Sequence, residues 1–215
     1  MINLLLAWKQ KIWLQLAVIY TRYLIGGAFV FASLIKIKGH RFTTAQGAGA
    51  PIHSAHHFFE TMYQSGLYWQ FLGLAQLVAG LLLMTQRYAL LGALLFLPII
   101  ANIYVITISY DFGYTSVITG AMLLATVGLL VWDWTSLRVV LNQPALAAPA
   151  ATPGPRNLWE IIGLILFLFT AGYRAFTDAY NMLLWVGVCA GVGAIGLAIS
   201  WLAPRHAKQL PPAVL

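Results

Sequence analysis

The chain has 215 residues, 61% of them hydrophobic, 13% aromatic and 8% charged, with a formal net charge of +7. Roughly a quarter of the residues of a soluble domain are charged, so this composition, with a mean hydropathy of +0.82, excludes a soluble globular protein and defines a polytopic membrane protein. Nor does the positive balance indicate nucleic acid. The basic residues sit in short flanks and loops, where they set topology and meet anionic lipid, and they form no basic stripe with interleaved aromatics.

Lys9 and Lys11 precede the first apolar segment, which has no small-residue cleavage site after it and reads as a retained helix. Span 1 covers about 12–35 and is long enough for a hydrocarbon core of about 30 Å. An outer loop at about 36–65 follows, with four of the five histidines and Glu60. Span 2 (about 66–84) leads through a turn around Arg87 to span 3 (about 88–109). A tight turn with Asp111 and Gly113 gives span 4 (about 114–132), closed by Trp132, Asp133 and Trp134 at the membrane boundary. Residues 1–141 thus read as a four-span bundle. The stretch 142–157, NQPALAAPAATPGP and its flank, is rich in Pro and Ala and reads as a linker. A two-span hairpin and basic tail occupy 158–215, with spans at about 158–176 and 182–203. The expected class is an all-α integral membrane protein of six spans.

Counting Lys and Arg on alternate sides places Lys9, Lys11, Arg87, Arg138, Arg156, Arg205 and Lys208 against Lys36, Lys38, Arg41 and Arg174. The excess predicts both termini in the cytoplasm of a bacterial-type inner membrane. The single cysteine, Cys189, excludes an intrachain disulfide.

The polar residues inside the spans are the first candidates for chemistry. Arg22, Gly26, Phe29, Ser33 and Lys36 recur at helical spacing, so span 1 carries a polar and small face. An arginine within a span is a functional-site hypothesis by default. At 1.5 Å per residue, Arg22, Gln76 and Asn102 each fall within about 5 Å of their spans' midpoints, and they are expected to form one buried polar layer. With no carboxylate assigned to that depth, an anion or water should complete the site. The layer reads as a hydrogen-bond network fixing helix register, as a ligand or quinone site, or as a solute path.

In the outer loop, His53, His56, His57 and Glu60 stand at i, i+3, i+4 and i+7 after Pro51. On a continuous helix they would share a face suited to Zn, Ni, Cu or Fe. Ala55, Phe58, Phe59 and Met62 form the reciprocal apolar face, so an interfacial amphipathic helix is the preferred reading. No span carries a histidine, and a transmembrane bis-histidine haem is not expected.

Taken together, Arg22-x3-Gly26-x2-Phe29 through Lys36, KGHRFT at 38–43, HFFETMYQSGLYWQFLG at 57–73, PIIANIYVITIS at 98–109 and the WDW at 132–134 resemble the DoxX family of small four-span membrane proteins. The likeness covers about 20–137 and leaves out spans 5 and 6. Ala32 stands where a DoxX sequence often has a glycine before its lysine. The resemblance implies a four-helix bundle that serves, in the best-known members, as the small membrane subunit of a quinone-linked oxidoreductase. On that reading Arg22 donates to a quinone oxygen or anionic group, Gln76 and Asn102 orient it, and the partners are membrane lipids, a quinone or small apolar ligand and a soluble oxidoreductase. The alternatives are a small-solute transporter and a non-catalytic assembly or scaffold protein.

Overall fold

A backbone crossing hydrocarbon must satisfy every N–H and C=O internally, so each long apolar stretch of this chain becomes a helix. The structure is a computed structural model that describes residues 2–42, 47–144, 153–155, 157–179 and 181–202. Much of the expected linker, Arg156 and the basic tail with Arg205 and Lys208 lie outside the described residues. Among them, six helices are long and apolar enough to span a membrane: α2 (Ile12–Ile37), α4 (Leu67–Met84), α5 (Ala89–Ser109), α6 (Tyr114–Trp132), α8 (Leu158–Phe176) and α9 (Met182–Leu202). Three short helices, α1 (Ile2–Lys9), α3 (Ala55–Gln64) and α7 (Trp134–Val140), lie at the ends of the bundle.

α2 is the longest helix, at 26 residues, and packs most extensively on antiparallel α4. In lipid the hydrophobic effect does not drive helices together, so close packing must do so. A Cβ on Gly80 would stand 2.9 Å from the Gly26 carbonyl, and one on Gly26 would stand 3.0 Å from the Gly80 carbonyl. The two backbones touch there because neither residue has a side chain. Beside this seam, Phe29 of α2 lies 3.9 Å, centroid to centroid, from Phe96 of α5. Ile25, Ala79, Leu83, Ile100 and Leu129 complete that core. α5 and α6 are joined by a 2.9 Å hydrogen bond between the Thr107 and Thr119 hydroxyls.

The hairpin is seated on the bundle. Leu158, Trp159, Ile162 and Leu166 of α8 share a second buried core with Ile19, Tyr23, Val30 and Met84 of α2 and α4. The Tyr23 hydroxyl donates to the Trp159 carbonyl, and the Tyr20 hydroxyl donates to the Gly193 carbonyl of α9 at 2.7 Å. At the opposite end Lys38 donates to the Asp178 carboxylate at 2.8 Å and to the Arg174 carbonyl at 3.1 Å, tying the end of α2 to the α8–α9 turn. α8 thus buries one face against α2 and α4.

Gly163 sets how closely α8 approaches. A Cβ there would fall 1.8 Å from the Met84 carbonyl oxygen and 2.9 Å from the Tyr23 ring. Gly163→Ala is therefore expected to push α8 off and lower stability by about 1–3 kcal/mol. Gly172→Ala, where a Cβ meets nothing within 4 Å, should be neutral or slightly stabilising. Thermal unfolding of the two variants in one detergent checks this, and equal melting temperatures would show that the approach at Gly163 does not matter.

Candidate functional site

Arg22 finds its partners at the end of the bundle that carries α1 and α7. Its Nη2 donates to Asp133 Oδ2 at 2.6 Å, and its Nη1 donates to Gln86 Oε1 at 2.9 Å. The ion pair is mostly buried, with side chains 11% and 18% exposed. Asp133 closes α6, and Gln86 sits in the α4–α5 turn with φ of 59°, in the left-handed region that side chains seldom adopt. Lys9 joins from α1. Its Nζ donates to Thr135 Oγ1 of α7 at 3.1 Å and lies 5.9 Å from the Trp132 ring centroid. Burial lowers the Lys9 pKa below the ordinary lysine range; the Asp133 carboxylate opposes that shift and the Arg22 guanidinium adds to it.

The expected layer of Arg22, Gln76 and Asn102 is not brought together. Gly73 packs on Ser33 and Lys36 while Gly80 packs on Gly26 and Val30, a register that sets Arg22 level with the turn beyond Met84. Gln76 is eight residues before Met84 in α4, about 12 Å deeper. It is buried against α2, with an Oε1 that has no partner. Asn102 faces outward from α5. Midpoint counting fails because it assumes that all spans begin in one plane, whereas α2 overshoots α4 at the Arg22 end. The anion that seemed to be missing is Asp133 of the chain itself. Parity was the signal: in an up-and-down bundle the start of span 1 and the ends of spans 2 and 4 lie on one side, which brings Arg22, Gln86 and Asp133 together.

The opposite end holds the histidines. α3 begins at Ala55, capped by the Ser54 hydroxyl, which accepts from the His57 N–H at 3.2 Å, so His53 lies in the preceding turn rather than on the helix. Glu60 is committed elsewhere. Arg41 Nε and Nη2 donate to its two oxygens at 2.9 and 2.8 Å, with Gln64 Nε2 adding a third bond at 3.2 Å. The four side chains therefore do not share one helical face, and among the described residues no three His, Cys, Asp or Glu are grouped as metal ligands. The apolar face of α3 is clamped on the α5–α6 turn, Phe58 on Tyr110 at 4.9 Å and Phe59 on Phe112 at 5.3 Å between centroids. Nearby, the ammonium of Lys36 donates to the Ala32 carbonyl at 2.9 Å and lies 4.5 Å from the Phe42 ring centroid and 5.3 Å from that of Trp69. Ring faces partly replace the water that this buried cation has lost.

Between bundle and hairpin lies a cavity of about 240 Å³ walled by α2, α8 and α9. Tyr20, Tyr23, Thr170, Trp185 and Cys189 line it, and it opens sideways past the exposed Leu24 and Val186. Its walls are apolar apart from a few hydroxyls already in use. Trp185 Nε1 donates to Thr170 Oγ1 at 3.1 Å, and the Thr170 hydroxyl is in turn hydrogen-bonded to the Cys189 side chain. Nothing in the sequence marked this site, because its wall is shared by segments that are far apart in the chain.

No known protein-family model matches the chain, and no solved structure matches it. Over 68 residues it is 37% identical to the uncharacterized protein YwoB of Bacillus subtilis (strain 168), a match covering 32% of this chain and 43% of that protein. The chain therefore spans less than half the length of that relative.

Two outcomes test this geometry. Asp133→Asn leaves the Arg22 charge without a counterion and should cost about 3 kcal/mol, whereas the pair Arg22→Met with Asp133→Leu should recover most of the loss; thermal unfolding of the three proteins measures both. For Glu60, hydrogen bonding from Arg41 holds the carboxyl down to about 2 from an ordinary 4.5, with burial opposing and Gln64 adding to the shift. A folded-state value below the unfolded one means that this clamp's contribution is fully present above about pH 4.5 and is lost as the pH falls toward about 2. Hydrogen exchange of α3, corrected for intrinsic rates, should rise over that interval, and Glu60→Gln should show no such dependence.

Proposed function

We propose that the chain is a DoxX-like membrane subunit that holds a quinone, or a small apolar ligand of similar shape, for a membrane redox system with a soluble oxidoreductase as its partner. The ligand occupies the lateral cavity between α2, α8 and α9. The cavity itself carries this reading. At about 240 Å³ it is below the roughly 300–1,000 Å³ of pockets that enclose whole drug-sized ligands. It suits a ring whose isoprenoid tail leaves through the opening beside Leu24. A ring carbonyl needs a donor, and the Thr170 hydroxyl, whose oxygen Trp185 holds, supplies one by turning from the Cys189 thiol to the ring.

This reading moves the ligand away from Arg22, Gln76 and Asn102. Arg22 is neutralised by Asp133 within the chain, and its role here is to hold α2, α6 and the α4–α5 turn together. Both termini lie in the cytoplasm of a bacterial-type cell membrane on this proposal, supported by the excess of Lys and Arg on that side.

The test uses full-length protein and a short-chain ubiquinone analogue. The wild type is expected to melt at a higher temperature with the analogue, and native mass spectrometry of protein taken from membranes should show a bound quinone. Ala190→Trp fills the cavity from α9 and should abolish both signals without lowering the ligand-free melting temperature. Thr170→Val should weaken the shift. An equal shift in wild type and Ala190→Trp would place the ligand elsewhere.

A further inference from the structure

Asn102 is the strongest feature that the proposed ligand site does not use. It lies three residues beyond the centre of α5 (Ala89–Ser109), about 5 Å along the helix from its midpoint. Its side chain is exposed on a stripe with Leu91, Leu95, Val105 and Ile108. Gln76, the amide in the middle of α4, is buried within the protein. Asn102 makes no side-chain hydrogen bond to any described residue. An amide facing hydrocarbon has no water to pair with. Pro98, exposed on the same stripe, also removes the helical donor to the Leu94 carbonyl, so the face carries a second polar group without its usual partner.

We propose that the chain forms a two-fold homodimer through this face of α5, with Asn102 paired to Asn102 of the second copy. All copies insert with one topology, so a two-fold axis relating them runs along the membrane normal and sets identical residues opposite each other at equal depth. A primary amide carries both a donor and an acceptor and is therefore its own complement. Few side chains could satisfy each other across such an axis at that depth. A second copy supplies the partner without any other molecule, and the flanking Leu95 and Val105 pack around the pair to exclude lipid. The dimer face lies on α5, away from the cavity on α2, α8 and α9, so the proposal stands independently of the ligand reading.

The test is the monomer–dimer equilibrium of full-length protein diluted in lipid bilayers, read by single-molecule photobleaching. The wild type is expected to dimerise. Asn102→Leu should raise the dissociation constant about tenfold, while Asn102→Gln, which keeps an amide, stays within about threefold. Because the side chain faces outward, Asn102→Leu should fold normally, as its melting temperature in detergent will show. In a Cys189→Ala background, Leu95→Cys and Val105→Cys should each form an intermolecular disulfide on oxidation, and Ile195→Cys on α9 should not. A monomeric wild type, an unchanged constant for Asn102→Leu, or cross-linking only through Ile195→Cys would each overturn the proposal.

Discussion

The contact between α2 and α4 at Gly26 and Gly80 is what the rest of the structure depends on. Removing both side chains brings the backbones into contact, which is how helices gain attraction in a solvent as apolar as themselves. Once that seam is fixed, the register of α2 is fixed too. Arg22 then reaches Asp133 and Gln86, Phe29 reaches Phe96, and Tyr23 faces α8. A single helix thereby contributes to two cores, one shared with α4, α5 and α6 and the other with α4 and α8.

The charged groups divide between the two ends in a way that suits the membrane. Arg22, Asp133 and Lys9 cluster at one end, and Arg41, Glu60, Lys38 and Asp178 at the other. Between them the spans carry amides and hydroxyls, which cost less to bury than ions. Lys36 is buried near its end of α2, and its neighbours are aromatic faces and a helix carbonyl. Such an arrangement stabilises a positive charge without bringing a second ion into low dielectric.

Helix boundaries were legible because hydropathy and turn residues act locally. The ends of α6 and α8 fall at Trp132 and Phe176, where apolar runs give way to Asp133 and to the turn before Asp178. Relative depth was not legible. The level of Arg22 depends on which residues of α4 touch α2, and that is decided by glycines on both helices acting as a pair. Direction was also hidden for Asn102. Polar residues within a span usually face inward, and a helix as uniformly apolar as α5 offers no contrast to show that this one does not. The lateral cavity left no local trace, since Tyr20, Thr170 and Cys189 meet only when three helices assemble.

The seating of α8 also bears on how the protein is made. Spans leave the ribosome in order, so α2 and α4 are in the bilayer before Trp159 exists, and domains formed early wait for those formed late. During that interval the hydroxyl of Tyr23 lacks the Trp159 carbonyl to which it will donate, and the Met84 face that will receive Gly163 is bare. The four-span intermediate therefore presents a polar and uncovered groove to lipid or to an insertion factor, and arrival of the hairpin closes it. Seating of the hairpin is thus an internal docking event, in which α8 meets a face that α2 and α4 have already formed.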